Sequence, residues 1–194
     1  PARASNADHQ ASSDMLPNAT PGGLAGLVEI VYDHAQGIDL ADLAAELSFE
    51  VDDLFPLIDA GTMLGLLTVE NGHVTLTELG RQWRQADILT SKTMFAAILQ
   101  DKAPLVRIID RAVRHSEHGR LRGELIVDLL RARHTDAEAE RQFNIAMTWG
   151  RYGGCHEQLR TIGCDHDADD DIITVDAANP ANATRPAEEA SETD

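Results

Sequence analysis

Apolar residues recur at helical spacing along most of the chain, and two short runs of alternating apolar and polar residues interrupt them. Residues 1–22 are rich in Ala, Ser, Asn and Pro and show no apolar period, so we expect a disordered linker there. Three short amphipathic helices are predicted next. Their inward residues are Leu24, Leu27, Val28, Val31 and Tyr32, then Leu40, Leu43, Ala44 and Leu47, then Val51, Leu54, Phe55 and Ile58.

The two alternating runs, 66–70 and 73–76, predict a β-hairpin. They flank Asn71-Gly72, a dipeptide that suits a type I′ turn because both turn residues there need positive φ. Thr77 follows directly and is placed to cap a helix that runs through Trp83. Helices followed by such a hairpin are typical of a winged helix.

Side chains at the helix ends refine this prediction. Asp39 and Ser48 are placed to cap the second and third helices. Pro56 is expected to kink the third helix without ending it, because Leu57 and Ile58 continue the apolar pattern. The expected core residues are Leu54, Phe55, Ile58, Leu66 and Trp83.

Helical periodicity returns after residue 88, with a division at Pro104 and a capping box at Thr135 and Glu138. A short strand is predicted at 172–175. The fold class is therefore mainly α, a winged helix (helices plus a two-stranded β-hairpin wing) followed by a helical subdomain. We expect the winged helix at 23–87, the helical subdomain with a short C-terminal β element at 88–176, and a disordered acidic tail at 177–194.

Charge argues against the partner that a winged helix usually binds. The net charge is −17, and no Lys or Arg occurs between Arg3 and Arg81. The third helix, which enters the DNA groove in a DNA-binding winged helix, carries acids instead of the Lys and Arg that contact phosphates. A transcription regulator that binds DNA is thus the disfavoured alternative, and we predict protein docking through Glu50, Asp52, Asp53 and Asp59.

Three arginines on one face of the predicted helix after Pro104 are the second candidate interaction site. Arg107, Arg111 and Arg114 recur at helical spacing. We expect them to pair within the chain, with Asp110, Glu117 or the acidic winged helix. The alternative is a docking patch for an acidic partner.

Metal and catalytic motifs are weakly represented. Cys155, His156, Cys164 and His166 are residue types that bind zinc, but their spacing matches no familiar zinc pattern, so we predict no metal site and keep these four as candidates only. The Asp-rich run 165–171 lacks the central Gly and terminal Glu of an EF-hand, which favours a solvated turn. P-loop, H-E-x-x-H and G-x-S-x-G motifs are absent, so we expect no catalysis by this chain.

Composition also bears on the cellular setting. Two cysteines make no disulfide framework, and neither a membrane span nor a signal peptide is visible, so we expect a cytoplasmic protein. Its start without Met fits a processed protein or a fragment. Lys is rare and Asp outnumbers Glu, which suggests a halophilic source, with a high-GC bacterial source as the alternative explanation of the Arg-over-Lys bias.

An ordered series of short motifs resembles the C-terminal AAA-associated domain of ATP-binding subunits in nitrate, sulfonate and taurine-type ABC importers. The resemblance spans about 23–176 and departs from the family pattern at 153–156. The matching motifs are D-L-A-x-x-L (42–47), V-D-D-L (51–54), L-T-x-L-G (76–80), A-D-I-L (86–89) with Lys92, and W-G-R-Y (149–152).

This resemblance implies a non-catalytic, regulatory or assembly domain attached behind a nucleotide-binding domain. ATP and Mg²⁺ would bind only in that upstream ATPase domain, and no cofactor is expected in this chain. The implied partners are the ABC ATPase domain or transporter subunits, with a homodimer as a further option and no nucleic acid. Contact with the inner face of the cell membrane would come only through a permease partner.

Overall fold

The computed structural model describes residues 15–116, 120–154, 164–167 and 172–175. The helices are α1 (Pro21–Asp33), α2 (Leu40–Leu47), α3 (Val51–Met63), α4 (Glu78–Gln85), α5 (Ile88–Lys102), α6 (Pro104–His115), α7 (Gly123–Arg131) and α8 (Asp136–Gly154). The strands are β1 (Ile38–Asp39), β2 (Leu67–Glu70), β3 (His73–Leu76), β4 (Arg120–Arg122), β5 (Cys164–Asp167) and β6 (Ile172–Val175). The fold is mainly α, as predicted.

The N-terminal half is a winged helix. Its elements follow the order α1, β1, α2, α3, β2, β3, and its three strands form an antiparallel sheet in the order β1-β3-β2. Asn71 and Gly72 have φ of 52° and 82°, which confirms the predicted turn with two positive φ angles. The hairpin register places Val69 opposite Val74 and Glu70 opposite His73.

The helix ends agree with the sequence prediction at one cap and differ at two. Thr77 caps α4 as predicted, since its side chain accepts a hydrogen bond from the Gly80 amide at 3.0 Å. Ser48 instead ends α2 in a left-handed conformation with φ of 55°, and Glu50 precedes α3. Asp39 precedes α2 but makes no side-chain cap bond there, because its carboxylate binds His73.

Pro56 lies inside α3, and the helix continues to Met63, as expected for a proline that does not end its helix. Phe55 is a correction, because its side chain is 44% exposed and not in the core. The buried stripe of α3 runs through Leu54, Leu57 and Ile58. The prediction is confirmed for Leu54 and Ile58, whereas Leu57 is buried where the sequence pattern placed Phe55.

Aromatic side chains join the winged helix to the helices that follow. Trp83 of α4 stacks on Phe95 of α5, with 5.7 Å between ring centroids. Phe95 also contacts Trp149 and Tyr152 of α8 at 6.4 and 5.1 Å. One apolar cluster therefore contains residues from both sides of the predicted domain boundary at residues 87 and 88. The boundary between two domains stays a prediction.

The N-terminal segment packs on α8, which corrects part of the predicted linker at 1–22. Leu16 and Ala19 are buried. The Leu16 amide donates to Oε1 of Gln142 at 2.7 Å, and Nε2 of Gln142 donates to the Leu16 carbonyl at 2.9 Å. Nε1 of Trp149 donates to the Ala19 carbonyl at 2.7 Å. Leu16 is therefore already part of the fold, although the sequence predicts a linker up to residue 22.

A second antiparallel sheet has the order β4-β6-β5. Its central strand is the predicted strand at 172–175, and Ile173 on it is fully buried. The sequence did not predict β4 or β5, nor β1, which adds a third strand to the predicted two-stranded wing. The predicted tail at 177–194 lies outside the described residues. Within the described part of the chain, no helix is long and apolar enough to cross a membrane.

Candidate interaction site

The four predicted docking acids lie at or on α3 and are all exposed. Glu50 precedes the helix, Asp52 and Asp53 lie in its first turn, and Asp59 lies nearer its C-terminal end. None of the four side chains makes an ion pair or a hydrogen bond with another described residue. The negative charge of this surface is therefore not neutralised within the described part of the chain.

Helix electrostatics account for only part of this arrangement. The N-terminus of a helix carries partial positive charge, so Glu50, Asp52 and Asp53 stabilise α3 by position, typically by about 0.3–1 kcal/mol each when exposed. Asp59 is too far along the helix for that effect, which falls off within the first turn. Its exposure opposite the buried stripe leaves it available to a partner.

Two exposed aromatic side chains accompany these acids. Phe55 lies on the same face of α3 as Asp52 and Asp59, which are three residues before it and four residues after it. Phe49, next to Glu50, is 42% exposed. The sequence analysis missed Phe49 because it falls between two helices, outside any apolar period. We call Phe49, Phe55 and the four acids the α3 face.

Arg114, one of the three predicted arginines, makes a structural contact on its own helix. Nε of Arg114 lies 2.9 Å from both carboxylate oxygens of Asp110, one turn earlier on α6. The two side chains are only 17% and 9% exposed. Nε2 of Gln100 adds a third hydrogen bond to Asp110 at 3.1 Å. The predicted pairing with Asp110 is therefore observed.

Arg107 caps the preceding helix, since its Nη1 donates to the carbonyls of Gln100 and Asp101 at the end of α5. Arg111 is exposed, and no contact of its side chain with another described residue is found. The three arginines therefore share a helix face but not a common role. No described contact joins them to the acids of α3, and Glu117 lies outside the described residues.

The metal candidates are mostly beyond the described part of the chain. Cys155 and His156 lie outside it, and Cys164 and His166 lie in β5, where only the backbone is described. Asp169, Asp170 and Asp171 of the acidic run lie outside it too. Among the described residues, no group of three or more His, Cys, Asp or Glu side chains could hold a metal ion.

A cleft of about 470 Å³ between α2 and the strands gathers two histidines with three acids. Nδ1 of His73 lies 2.8 Å from Oδ1 of Asp39, and Nε2 of the same ring lies 2.8 Å from the Gln36 carbonyl. Nε2 of His34 lies 3.0 Å from Oε1 of Glu46. The backbone carbonyl of Gln36, followed by the Asp39 carboxylate, raises the pKa of His73 above its ordinary value.

Sequence reasoning could not find this cleft, because its histidines are scattered among polar residues. His73 meets Asp39 only through the pairing of β1 with β3, which aligns these two residues across 34 positions of sequence. Asp42 completes the acidic lining.

Comparison with known proteins adds the family. Neither the curated proteins nor the solved structures include a match to the chain. The family model described as the C-terminal AAA-associated domain matches residues 41–158, from α2 to just beyond α8. The match covers more than half of the sequence and includes the hairpin, α3 and the aromatic cluster. The chain therefore belongs to the family of C-terminal AAA-associated domains.

Proposed function

We propose that this chain is the accessory domain of an ABC importer ATP-binding subunit of the nitrate, sulfonate or taurine type, and that it makes protein contacts through the α3 face. Membership of the family supports an accessory role beside an ATPase. ATP and Mg²⁺ belong to the ATPase domain in this proposal, and catalysis is not a role of this chain. Contact with the membrane comes through a permease partner.

One observation carries the choice of surface. The helix that a DNA-binding winged helix places in the groove here exposes four carboxylates without ion-pair partners among the described residues. Phosphates would be repelled by this charge, whereas a basic protein surface would be attracted. Phe49 and Phe55 supply the apolar contact area that such an interface needs at its centre.

Repulsion also decides which partner the α3 face fits. Two copies of this face would bring like charges together, so symmetric pairing through it is disfavoured. A homodimer would have to use another surface. The partner of the α3 face is therefore a Lys- or Arg-rich region of the ATPase domain or of a transporter subunit.

The test measures binding of the chain to a purified ATP-binding subunit of this importer type by calorimetry. We expect the double variant Asp52→Lys/Asp59→Lys to abolish binding, and Phe55→Ser to weaken it at least tenfold. The control, Asp33→Lys/Asp101→Lys, changes the net charge equally at two exposed acids outside the α3 face and away from His73, and should bind like the original chain. Circular dichroism checks that each variant folds.

Two results would contradict the proposal. Equal loss of binding in both double variants would indicate a general charge effect instead of a docking face, and failure of the unchanged chain to bind the subunit would remove the importer role. Tight, salt-sensitive binding of duplex DNA in a mobility-shift assay would favour the transcription regulator.

A further inference from the structure

The ring of His73 lies between two hydrogen-bond acceptors. A carboxylate oxygen of Asp39 faces Nδ1, and a backbone carbonyl oxygen of Gln36 faces Nε2, each at 2.8 Å. A neutral imidazole carries one N–H and can donate to only one of them, whereas the imidazolium carries two and can donate to both. Neither oxygen can act as a hydrogen-bond donor, because a carbonyl and an ionised carboxylate carry no proton. The two short contacts therefore favour the charged ring over the neutral one.

The two acceptors belong to different segments. His73 begins β3, Asp39 ends β1 and leads into α2, and Gln36 lies in the loop between α1 and β1. The Leu40 amide adds a bond to the Gly72 carbonyl at 2.9 Å in the same region. One protonated ring thus holds the wing, the start of α2 and this loop together.

Gly37 shows how closely the loop approaches β3. Its φ is +86°, and a Cβ at this position would lie 2.5 Å from the Val74 carbonyl oxygen and 2.7 Å from Nε2 of His73. Only glycine allows this contact without a shift of the backbone or the ring. The loop therefore presents the Gln36 carbonyl to the ring with little room for rearrangement.

The other charged groups around His73 reinforce the cation. Glu70 lies opposite it on β2, and Asp42 and Glu46 line the same cleft from α2. His34, after α1, has one carboxylate acceptor at Glu46, which a neutral ring can also satisfy. On α4, Arg81 donates to the Leu76 carbonyl, at the far end of β3. No Lys or Arg lines this cleft among the described residues.

We propose that His73 is a proton-operated latch of the winged helix, which fastens β3 to both Asp39 and the Gln36 carbonyl when charged and releases one of them when it loses its proton. This inference does not depend on the proposed docking partner. Its consequence is local, because α2 follows Asp39 directly and packs on α3. Deprotonation therefore loosens the support of the α3 face.

The sign of the pH dependence follows from the pKa of His73, which is higher in the folded chain than the ordinary value of about 6.5. The stabilisation by the latch is thus fully present below that ordinary value. It is lost as the pH rises through the higher, folded-state pKa.

The experiment is a pH titration of the histidine ring nitrogens by NMR in the full chain. We expect His73 to lose its proton at a higher pH than a histidine in an unfolded peptide, with both nitrogens protonated below that point. Hydrogen exchange of the Leu40 amide, corrected for the intrinsic rate, should lose protection over the same pH range. A ring that titrates at or below the peptide value would overturn the proposal.

Variants distinguish a role of His73 that depends on its proton from a structural role that does not depend on pH. The midpoint of thermal unfolding of the original chain should exceed that of His73→Gln at low pH, and this difference should disappear at high pH. His34→Gln, which removes a histidine with one acceptor from the same cleft, is the control for the loss of a ring as such. Parallel pH profiles for the original chain and His73→Gln would refute the latch, and the NMR titration decides the matter even if that variant does not fold.

Discussion

At Gly80, the backbone of α4 lies directly against the carbonyl group of Leu66. A Cβ at this position would be 2.2 Å from that carbonyl oxygen, far inside van der Waals contact. The same carbonyl accepts a hydrogen bond from the Thr77 amide at 3.0 Å, so it cannot move away without breaking that bond. Glycine is therefore required here by close approach of two backbone segments.

Replacing Gly80 with alanine should destabilise the fold by about 1–3 kcal/mol or more, because the added methyl group forces α4 off the hairpin. Gly26→Ala is the matched control, since a Cβ at that position in α1 meets nothing within 4 Å. This control should stabilise the chain by about 0.5–1 kcal/mol through helix propensity. Urea unfolding of both variants measures the difference, and equal effects would show that the contact at Gly80 is not rigid.

Single residues also show where sequence reasoning succeeds. Thr77 and Asn71-Gly72 were predicted correctly because their roles depend on the adjacent backbone alone. Ser48 was misassigned, since a serine between two helices can cap the second or end the first, and the local sequence does not distinguish these roles. Asp39 lost its predicted cap role to His73, a partner that only the strand pairing brings near.

Among the elements, α3 shows that sequence periodicity places the centre of a buried stripe more reliably than its edges. Gly61 lies inside α3, although glycine is unfavourable in the interior of a helix. Its missing side chain makes room for Leu67, whose Cδ1 would lie 2.4 Å from a Cβ at that position. Leu54, Leu57 and Ile58 are buried on one side of α3, and Phe55 lies beyond the edge of this stripe with 44% of its surface exposed. The four acids are predicted as a docking surface from charge alone, whereas the exposure of Phe55 depends on how α3 packs.

The contact between the N-terminal segment and α8 depends on one side chain. Gln142 is 3% exposed and forms hydrogen bonds with both the amide and the carbonyl of Leu16. Gln142→Leu would leave these two backbone groups unpaired in a buried position, at a cost of about 1–3 kcal/mol each if the segment stays bound. If this cost exceeds the free energy with which the N-terminal segment binds α8, we expect the segment to detach.

Limited proteolysis and urea unfolding test this prediction together. Gln142→Leu should lower the free energy of unfolding and accelerate cleavage before residue 20. Gln82→Leu is the control, because the Gln82 side chain makes an exposed hydrogen bond to Glu78 and its loss should change stability by no more than about 0.5 kcal/mol. Cleavage at the original rate in Gln142→Leu would show that the segment is held by apolar packing of Leu16 alone.

At the scale of the whole molecule, the uneven charge has a consequence for stability. The stretch 23–80 holds eleven acids and no base, whereas 81–164 holds fourteen bases and ten acids. Some of this charge is paired between the halves, as in the 2.8 Å contact of Arg84 with Glu29. The docking acids of α3 have no such partner among the described residues, so their mutual repulsion remains in the folded chain.

Salt should therefore stabilise this protein. Raising KCl from about 0.05 to 1 M shortens the screening length to about 3 Å and suppresses repulsion between exposed carboxylates. We expect the thermal unfolding midpoint to rise over this range, and the rise to be smaller in Asp52→Lys/Asp59→Lys, whose added lysines relieve the repulsion at α3. Asp33→Lys/Asp101→Lys, with the same net charge, separates local repulsion from the total charge.

The comparison of these two variants decides between explanations. A reduced salt response in both would indicate that total charge governs stability, as adaptation to a salt-rich cytoplasm predicts. A reduced response in Asp52→Lys/Asp59→Lys alone would place the repulsion at the α3 face, where a basic partner would relieve it on binding. A midpoint that does not change with salt in the original chain would contradict both the halophilic interpretation and the repulsion at α3.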